Sequence, residues 1–522
     1  MGGSGARPNP GITRRRLLQF GAAGLALGAV SSLAGCAADP VGATTSRLLH
    51  GATGGGLKDT LDAHFPVTVP DIARVRNLYE TLLRYSPEYE IEPCLAESWE
   101  RNADATVWTF SLRRGVTFHD GRPFTADDVA ASVLRMCDPE QPSAYALTIS
   151  KIIDRESSGA LDEHTYRMVL TSPYAVLDQT MANYTLGMVP ADYDPDHPIG
   201  TGPFRYESFV PGQRSLFVRH TDHWERTADF EELVILDFAD DAAKVNALLA
   251  GQVQSVDNLP RYLAGAIEEQ GAHALVSESG GWTPFTIRVD QEPFSDVRVR
   301  QALRLVVDRQ EMIDQAFSGF GRVANDLYAP FDPAYIGDEL PQRVQDIDEA
   351  KSLLKQAGQE DLQVELVTSS GIGAGAVESA NLFAQHARKA GIDVRVNKVD
   401  SSIFYGDQYL SWPFAQDFWE TRMYLLQAEA CALSDSPYNE THFSHPVFEQ
   451  LIHDAQREVD DAKRRTLLQD AQRIEYEEGG LVVWGFKSHV DAYSDFVTGF
   501  EPVIEMPMSG FRFNRASPVD EA

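Results

Sequence analysis

Residues 362–399, LQVELVTSSGIGAGAVESANLFAQHARKAGIDVRVNKV, predict a strand, a glycine-rich loop, a helix and a second strand in succession. Gly391 stands where the helix should end, just before the second strand. Two strands joined through a helix usually pair in parallel, with a right-handed crossover. This unit therefore predicts an α/β fold that contains a parallel pair of strands.

Residues 107–136 predict a compact run of strands, turns and a helix. In VWTFSL the second, fourth and sixth residues are large and apolar, as expected of a half-buried strand. A short return strand is predicted at 116–118. Thr125, with Asp128 three positions later, matches a capping box and predicts that a helix begins there.

Helical spacing and strand-like alternation of apolar residues predict the other elements. The sequence predicts an early helix over Asp71–Arg84, a hairpin in 202–220 that turns at Pro211-Gly212, a long helix from Asp296 to Phe317, two amphipathic helices within 446–480, and a buried strand at Leu481–Phe486.

The first 35 residues predict an export signal. A polar, arginine-bearing stretch precedes a short apolar run and small residues, and that run is shorter than a membrane-spanning helix requires. Arg14 and Arg15 lie in a segment that resembles the twin-arginine export motif, although Leu17 stands where phenylalanine is commoner.

Leu33-Ala34-Gly35-Cys36 resembles a lipobox, in which Cys36 receives a diacylglyceryl group and becomes the first mature residue. The sequence therefore predicts a lipoprotein attached to the outer face of the cell membrane, with residues 36–46 as its tether. The alternative is an ordinary cleaved signal followed by an incidental cysteine.

The charge of the chain argues against nucleic acid as a partner. It has 77 acidic and 45 basic residues, a formal net charge of −32 at pH 7, and no evident basic patch. Cys94, Cys137 and Cys431 remain besides Cys36, and their spacing matches no zinc pattern. An export route would permit one disulfide but does not imply it. We expect no metal or cofactor.

Four segments in order resemble the family 5 extracellular solute-binding proteins of ABC importers, which include peptide- and nickel-binding proteins. They are LAESWERNADATVWTFSLRRGVTFHDGRPFTADDVAASV, GTGPFRYESFVPGQ, PFSDVRVRQALRLVVDRQEMI and NETHFSHPVFEQLIHDAQREVD. The resemblance implies a bilobal clamp with an extra subdomain in the first lobe. It implies lobe I at 47–281 with the subdomain at about 85–205, lobe II at 282–490, and a return to lobe I at 491–522.

By the same resemblance, the protein is a monomer that captures a peptide or similar small polar solute between its lobes and delivers it to a permease. The two connections between the lobes would lie near 280–287 and 487–493. Other ligands that the family implies are a nickel chelate or an oligosaccharide. A lipoprotein that passes its loaded state to a membrane sensor would have the same clamp.

The segment 411–446 is similar to the family's cleft-lining loop. Peptide-binding relatives hold the ligand's α-ammonium group with an aspartate soon after a tryptophan. Here Trp419 is followed by Glu420 and Thr421, and Arg422 occupies about the place of that aspartate. A guanidinium prefers a carboxylate or phosphate, so we predict that Arg422 binds an anionic ligand group. The alternative is a surface arginine or an internal ion pair with Asp417 or Glu420.

Five further residues are candidate ligand contacts. Tyr438, Asn439 and His442 lie in the same loop, although Asn439 could equally serve a turn. Trp282 follows two glycines at the first expected connection, where it could close over a ligand or belong to the core. Tyr79 is expected at the end of the early helix.

Three patterns resemble cofactor-binding, metal-binding or catalytic motifs, but none of them matches such a motif in full. The glycines at 371, 373 and 375 have the wrong spacing for a dinucleotide-binding loop. His442 and His445 lack an accompanying set of cysteines or carboxylates, and His119-Asp120 is explained by a turn. The hydrolase motifs H-E-x-x-H and G-x-S-x-G are absent from the sequence, so we expect no enzyme activity.

Overall fold

The computed structural model describes residues 46–143 and 145–519. Its largest element is a mixed sheet of seven strands, which with the helices packed on it we call the first lobe. The strand order is Ala272–Ser277, His489–Ser494, Ser255–Val256, Arg47–Thr53, Glu232–Phe238, Arg214–Arg219 and Phe204–Val210. The strand Arg47–Thr53 pairs in parallel with both of its neighbours.

A second sheet of five strands organises what we call the second lobe. Its order is Asp393–Lys398, Gln363–Thr368, Phe414–Gln416, Phe285–Ile287 and Leu481–Val482. The chain passes from the first sheet to the second after Ser277 and returns to the first at His489. The exact lobe boundaries given above stay a prediction.

A third sheet, of four antiparallel strands, forms the extra subdomain. Its order is Ala96–Arg101, Val107–Leu112, Thr165–Val169 and Gly159–Asp162. Trp108, Phe110 and Leu112 are buried, whereas the alternate residues of that strand are less so, which confirms the predicted alternation. One continuous hydrophobic cluster joins this subdomain to second-lobe residues between 419 and 471.

The helices and smaller strand pairs complete the architecture. In the first lobe the helices are Val69–Leu78, Asp241–Leu249 and Ala264–Glu268, and in the subdomain they are Ala126–Met136, Leu147–Ile152 and Leu177–Met181. In the second lobe they are Val297–Leu305, Arg309–Ala316, Ile347–Gln356, Ala376–Lys389, Ser401–Phe404, Tyr424–Cys431, Pro446–Arg457 and Asp461–Glu478. Leu83–Tyr85 pairs with Ile91–Pro93, Gly321–Val323 with Gly485–Lys487, and Val497–Thr498 with Ser517–Pro518.

Several local predictions are confirmed. The strands Gln363–Thr368 and Asp393–Lys398 pair in parallel across the intervening helix. The Thr125 backbone N–H donates to the Asp128 carboxylate at 3.0 Å at the start of the helix Ala126–Met136. The hairpin turns at Gly212, whose φ of 69° lies in the left-handed region that glycine tolerates.

Other boundaries were predicted wrongly. The early helix ends at Leu78 instead of Arg84, because Tyr79 is extended and Leu83–Tyr85 pairs as a strand. The long helix from Asp296 is two helices, since the Asp308 side chain caps a new helix by accepting from Glu311 N.

Two predicted strands are shorter than expected. The strand at 116–118 is reduced to one bridge between Thr117 and Pro123. The strand at 481–486 divides into two short strands that join different sheets. In both places most of the side chains are buried without a continuous ladder of hydrogen bonds.

The predicted signal, the twin-arginine segment, Cys36 and most of the tether lie outside the described residues. Cys94, Cys137 and Cys431 are buried free thiols in the part of the chain that the structure describes. Within that part, no helix is both long and apolar enough to cross a membrane.

Candidate functional site

A cavity of about 710 Å³ lies where three parts of the chain face one another. The first lobe contributes apolar side chains, the extra subdomain contributes aromatic and polar ones, and the second lobe contributes the longest stretch. The first-lobe lining residues are Val67, Val69, Ile72 and Met506. Those of the subdomain are Tyr145, Leu147, Thr148, Lys151, Thr180 and Tyr184, and those of the second lobe lie between Tyr405 and Gln456. Its volume lies within the range typical of small-molecule sites.

Trp419 forms part of the cavity wall and is supported from behind by an aromatic stack. Its backbone pairs with that of Trp282 through two hydrogen bonds of 2.9 Å, and the two rings lie 6.3 Å apart. Trp282 stacks in turn on Tyr328, at 5.3 Å between ring centroids, and Tyr328 stacks on Tyr424 at 5.1 Å. The wall is therefore anchored in the core of the second lobe.

Arg422 also lines the cavity, and its guanidinium lies between two rings. Its Cζ is 4.4 Å from the Tyr145 ring centroid and 5.0 Å from that of Trp419. Nε and Nη2 donate to the Tyr145 hydroxyl at 3.1 and 2.8 Å. Burial acts to lower the pKa of Arg422, but Tyr145, together with Tyr184 and Cys431, raises it by more, so the pKa is raised. Among the described residues Arg422 forms no ion pair.

The predicted alternative partners of Arg422 are engaged elsewhere. Glu420 binds Lys487 at 2.7 Å. Asp417 is buried and accepts from the Tyr405 and Tyr409 hydroxyls at 3.2 and 2.8 Å. Burial raises the pKa of Asp417, and burial and the neighbouring Asp417 raise that of Glu440. The ion pair with Asp417 or Glu420 that the sequence allowed is therefore not formed.

Tyr438 is the third predicted site residue that reaches the cavity, and its ring meets that of Trp419 edge to face at 6.0 Å. Asn439 and His442 serve the loop instead. The Asn439 side chain donates to the carbonyls of Leu433 and Phe443, and the His442 ring contacts the Leu410 carbonyl at 3.0 Å. Neither is a lining residue of this cavity.

Trp282 and Tyr79 are also placed away from the cavity surface. Trp282 is 1% exposed and forms the layer behind Trp419. The Tyr79 hydroxyl donates to the Leu61 carbonyl at 2.8 Å and contacts the Tyr193 hydroxyl. Their predicted contact with ligand would require the surrounding core to rearrange.

Sequence reasoning missed several lining residues. Tyr145 comes from a segment far from the predicted loop, whereas Tyr405 and Tyr409 lie just before it, and the four-residue spacing of these two was the one available signal. Glu429 was missed as well. It accepts from Thr148 at 2.8 Å and from Gln456 at 2.9 Å, and burial raises its pKa.

No group of three or more histidine, cysteine or acidic side chains within residues 46–143 and 145–519 is arranged to hold a metal ion. His442 and His445, which the sequence offered as a pair of metal ligands, have other roles. His445 caps the helix Pro446–Arg457 by accepting from the Phe448 N–H at 3.2 Å.

Comparisons with known proteins agree with this architecture. The family model described as "Bacterial extracellular solute-binding proteins, family 5 Middle" matches residues 90–438. The chain is 26% identical over 488 residues to "Di/tripeptide-binding protein 2" of Pseudomonas aeruginosa, covering 85% of this chain and 90% of that protein.

Two solved structures illustrate the shared bilobal fold. One is the periplasmic binding protein DppA of Helicobacter pylori in complex with the peptide STSA, with a TM-score of 0.77 and 22% identity over 91% of this chain and 98% of that one. The other is AgaA of A. tumefaciens R10 in complex with agropinic acid, with a TM-score of 0.76 and 24% identity over 91% and 99% of the two chains.

These proteins bind solutes for transport and are not enzymes. The match extends over most of the described chain and includes the second-lobe residues Trp419 and Arg422. The chain belongs to the family 5 extracellular solute-binding proteins, the substrate-binding components of ABC importers.

Proposed function

We propose that the protein captures a peptide or a similar small polar solute in the cavity beside Trp419 and Arg422. The observation that carries this proposal is the cavity itself, whose lining comes from both lobes and the extra subdomain. A ligand held there would contact all three parts, so it would bind most tightly to the form in which they face one another. The di/tripeptide-binding relative supports a peptide as the first ligand class to test.

The partners and location that we propose follow from the family and the sequence. A monomeric clamp, lipid-anchored through Cys36 to the outer face of the membrane, would deliver its ligand to the permease. Arg14 and Arg15 would direct export by the twin-arginine route. Lobe I would span 47–281, lobe II 282–490, and residues 491–522 would return to lobe I.

A direct test is to purify the full-length protein in mild detergent from its own cells and identify small molecules that denaturation releases. Each released compound is then added back in a thermal-shift assay. A ligand at about a hundred times its dissociation constant should stabilise the protein by about 2.7 kcal/mol. If no peptide, sugar or metal chelate shifts the melting temperature, the proposal fails.

Closure can be measured separately by X-ray scattering with and without the identified ligand. We expect the radius of gyration to fall when the ligand is added. An unchanged scattering profile would argue that the ligand binds without closure of the lobes.

A further inference from the structure

Arg422 is an unpaired positive charge in the proposed ligand cavity. Its Nη1 donates to no group in the part of the chain that the structure describes, while Nε and Nη2 are held by the Tyr145 hydroxyl. That hydroxyl accepts both bonds, so its own proton remains available to a ligand oxygen. The arrangement presents two donors, Nη1 and the Tyr145 O–H, to one oxyanion.

The Trp419 ring adjoins this pair, since its centroid lies 5.0 Å from Arg422 Cζ. Trp419 lines the cavity beside Arg422 and is 7% exposed, and its Nε1 has no hydrogen-bond partner among the described residues. A buried N–H without an acceptor is destabilising, and an oxygen acceptor in reach would relieve that cost. Arg422 and Tyr145 therefore supply positive charge and donors to the cavity beside the Trp419 ring.

The acidic residues of the cavity offer no comparable place for an ammonium group. Asp417 is buried beneath two tyrosine hydroxyls, and Glu420 is neutralised by Lys487. Glu429 accepts from Thr148, Gln456 and Tyr174. Asp435 is exposed and lies 3.4 Å from Lys151 at the edge of the cavity. Each carboxyl group of the lining already accepts at least one hydrogen bond from the protein.

Much of the remaining wall is apolar. The first lobe contributes Val67, Val69, Ile72 and Met506, and the second lobe contributes Phe418, Leu426, Leu433 and Pro437. The Val67 and Phe418 side chains are 83% and 40% exposed in the described form, so they have apolar surface that a ligand can cover. A ligand that suits this wall has an apolar or aromatic body.

We infer that the cavity selects organic carboxylates that have an apolar body and lack a free α-ammonium group, with N-acylated amino acids and short N-acylated peptides as the ligand class. The carboxylate would bind Arg422 and the Tyr145 hydroxyl. The acylated nitrogen would need no carboxylate partner and would avoid the cost of desolvating an ammonium ion. This inference rests on the proposed function and narrows its ligand.

The test compares libraries that differ in one group. An equimolar library of dipeptides with apolar side chains is offered to the full-length protein, once with free amino groups and once N-acetylated, and bound ligand is quantified by native mass spectrometry. We expect the acetylated library to bind at least tenfold more tightly. A third library, acetylated and also amidated at the carboxyl end, should bind at least tenfold more weakly than the acetylated acids.

Two variants identify the group responsible. Arg422→Gln should remove the preference for the carboxylate over its amide, whereas Arg395→Gln, which changes an exposed arginine paired with Glu365 at 3.8 Å, should retain it. Equal or tighter binding of the free dipeptides would overturn the inference and leave the proposed function standing. If no library binds and no compound is released from the native protein, both fail.

Discussion

The Tyr145 hydroxyl accepts two hydrogen bonds from Arg422, across 277 positions of the sequence, and thereby joins the extra subdomain to the second lobe. The tyrosine ring also lies against the guanidinium, 4.4 Å from Cζ. This contact fixes the one unpaired cation that lines the cavity in the described residues. The orientation of Arg422 therefore depends on a residue outside its own lobe.

Tyr145→Phe should weaken binding of the cavity ligand about fivefold, because one hydrogen-bond partner worth about 1 kcal/mol is lost while the ring remains. Isothermal titration calorimetry with the identified ligand measures the change. Tyr262→Phe is the matched control, since Tyr262 is 75% exposed and lies outside the cavity. Unchanged affinity in Tyr145→Phe would mean that the hydroxyl does not position Arg422.

Glu475 should make the protein less stable as pH rises. It is buried and accepts from the Tyr328 and Tyr424 hydroxyls, and burial raises its pKa to about 7 from an ordinary value of 4.5. The folded protein therefore keeps a proton that the unfolded chain releases. This stabilisation is complete below about pH 4 and is lost as pH rises through 7, by up to about 3 kcal/mol.

Glu475→Gln should flatten this dependence in urea unfolding at pH 5, 6.5 and 8. Asp491 contributes in the same direction, since burial raises its pKa to about 7 as well. The single variant should therefore remove part of the slope, and Glu475→Gln combined with Asp491→Asn should remove more. Parallel profiles for all three proteins would show that these groups do not titrate in this range.

Asp326→Asn should destabilise the second lobe by about 3 kcal/mol. The Asp326 carboxylate is buried and accepts from Arg309 at 2.6 Å and from Arg343 at 3.0 Å, so the amide would leave two cations without their counter-charge. Asparagine also tolerates the φ of 58° at this position. Asp338→Asn, at an exposed carboxylate 3.7 Å from Arg322, should change stability by less than about 1 kcal/mol. If the two variants lowered the free energy of unfolding in urea equally, the stabilising role of the Asp326 ion pairs would be contradicted.

Cys94, Cys137 and Cys431 should resist alkylation in the folded protein. All three thiols are buried, and burial raises the pKa of Cys94 and of Cys137 to about 12. Because the thiolate is the reactive form, iodoacetamide at pH 8 should label none of them until guanidinium unfolds the chain. Mass spectrometry counts the labels, and rapid labelling of the native protein would show that a thiol is accessible.

Cys36→Ala should release the protein from the membrane fraction, because a diacylglyceryl anchor requires the cysteine sulfur. Labelling of cells with an alkyne fatty acid, followed by fractionation, measures both attachment and location. Cys94→Ala serves as the control and should remain labelled and membrane-bound. Persistence of the label in Cys36→Ala would mean that the fatty acid is attached at another residue, and absence of label from the unaltered protein would remove the lipoprotein assignment.

Local periodicity correctly predicted the elements whose conformation depends on residues that are near in the sequence. The alternation around Trp108 and the capping box at Thr125 need only neighbouring residues, and both are confirmed. The helix from Asp296 was predicted too long because its apolar stripe continues through the break that Asp308 introduces. Periodicity indicates which face of a helix is buried, but it does not detect the point where one helix ends and another begins along a new axis.

The cavity was harder to predict because its lining depends on how distant segments face one another. Trp419, Arg422 and Tyr438 were found through their family-like loop, and all three line the cavity. Tyr145 belongs to the subdomain and Val67 to the first lobe, and no local pattern connects either residue with Arg422. The predicted contacts at Trp282 and Asn439 are core and loop interactions in the structure.

The strand His489–Ser494 lies between Ala272–Ser277 and Ser255–Val256 in the largest sheet. During synthesis that sheet must remain incomplete until nearly the whole polypeptide has left the ribosome, with two edges exposed in the meantime. A nonsense mutation before His489 would therefore damage the part of the molecule made first. Such truncated products should aggregate or be degraded instead of persisting as a half-sized binding protein.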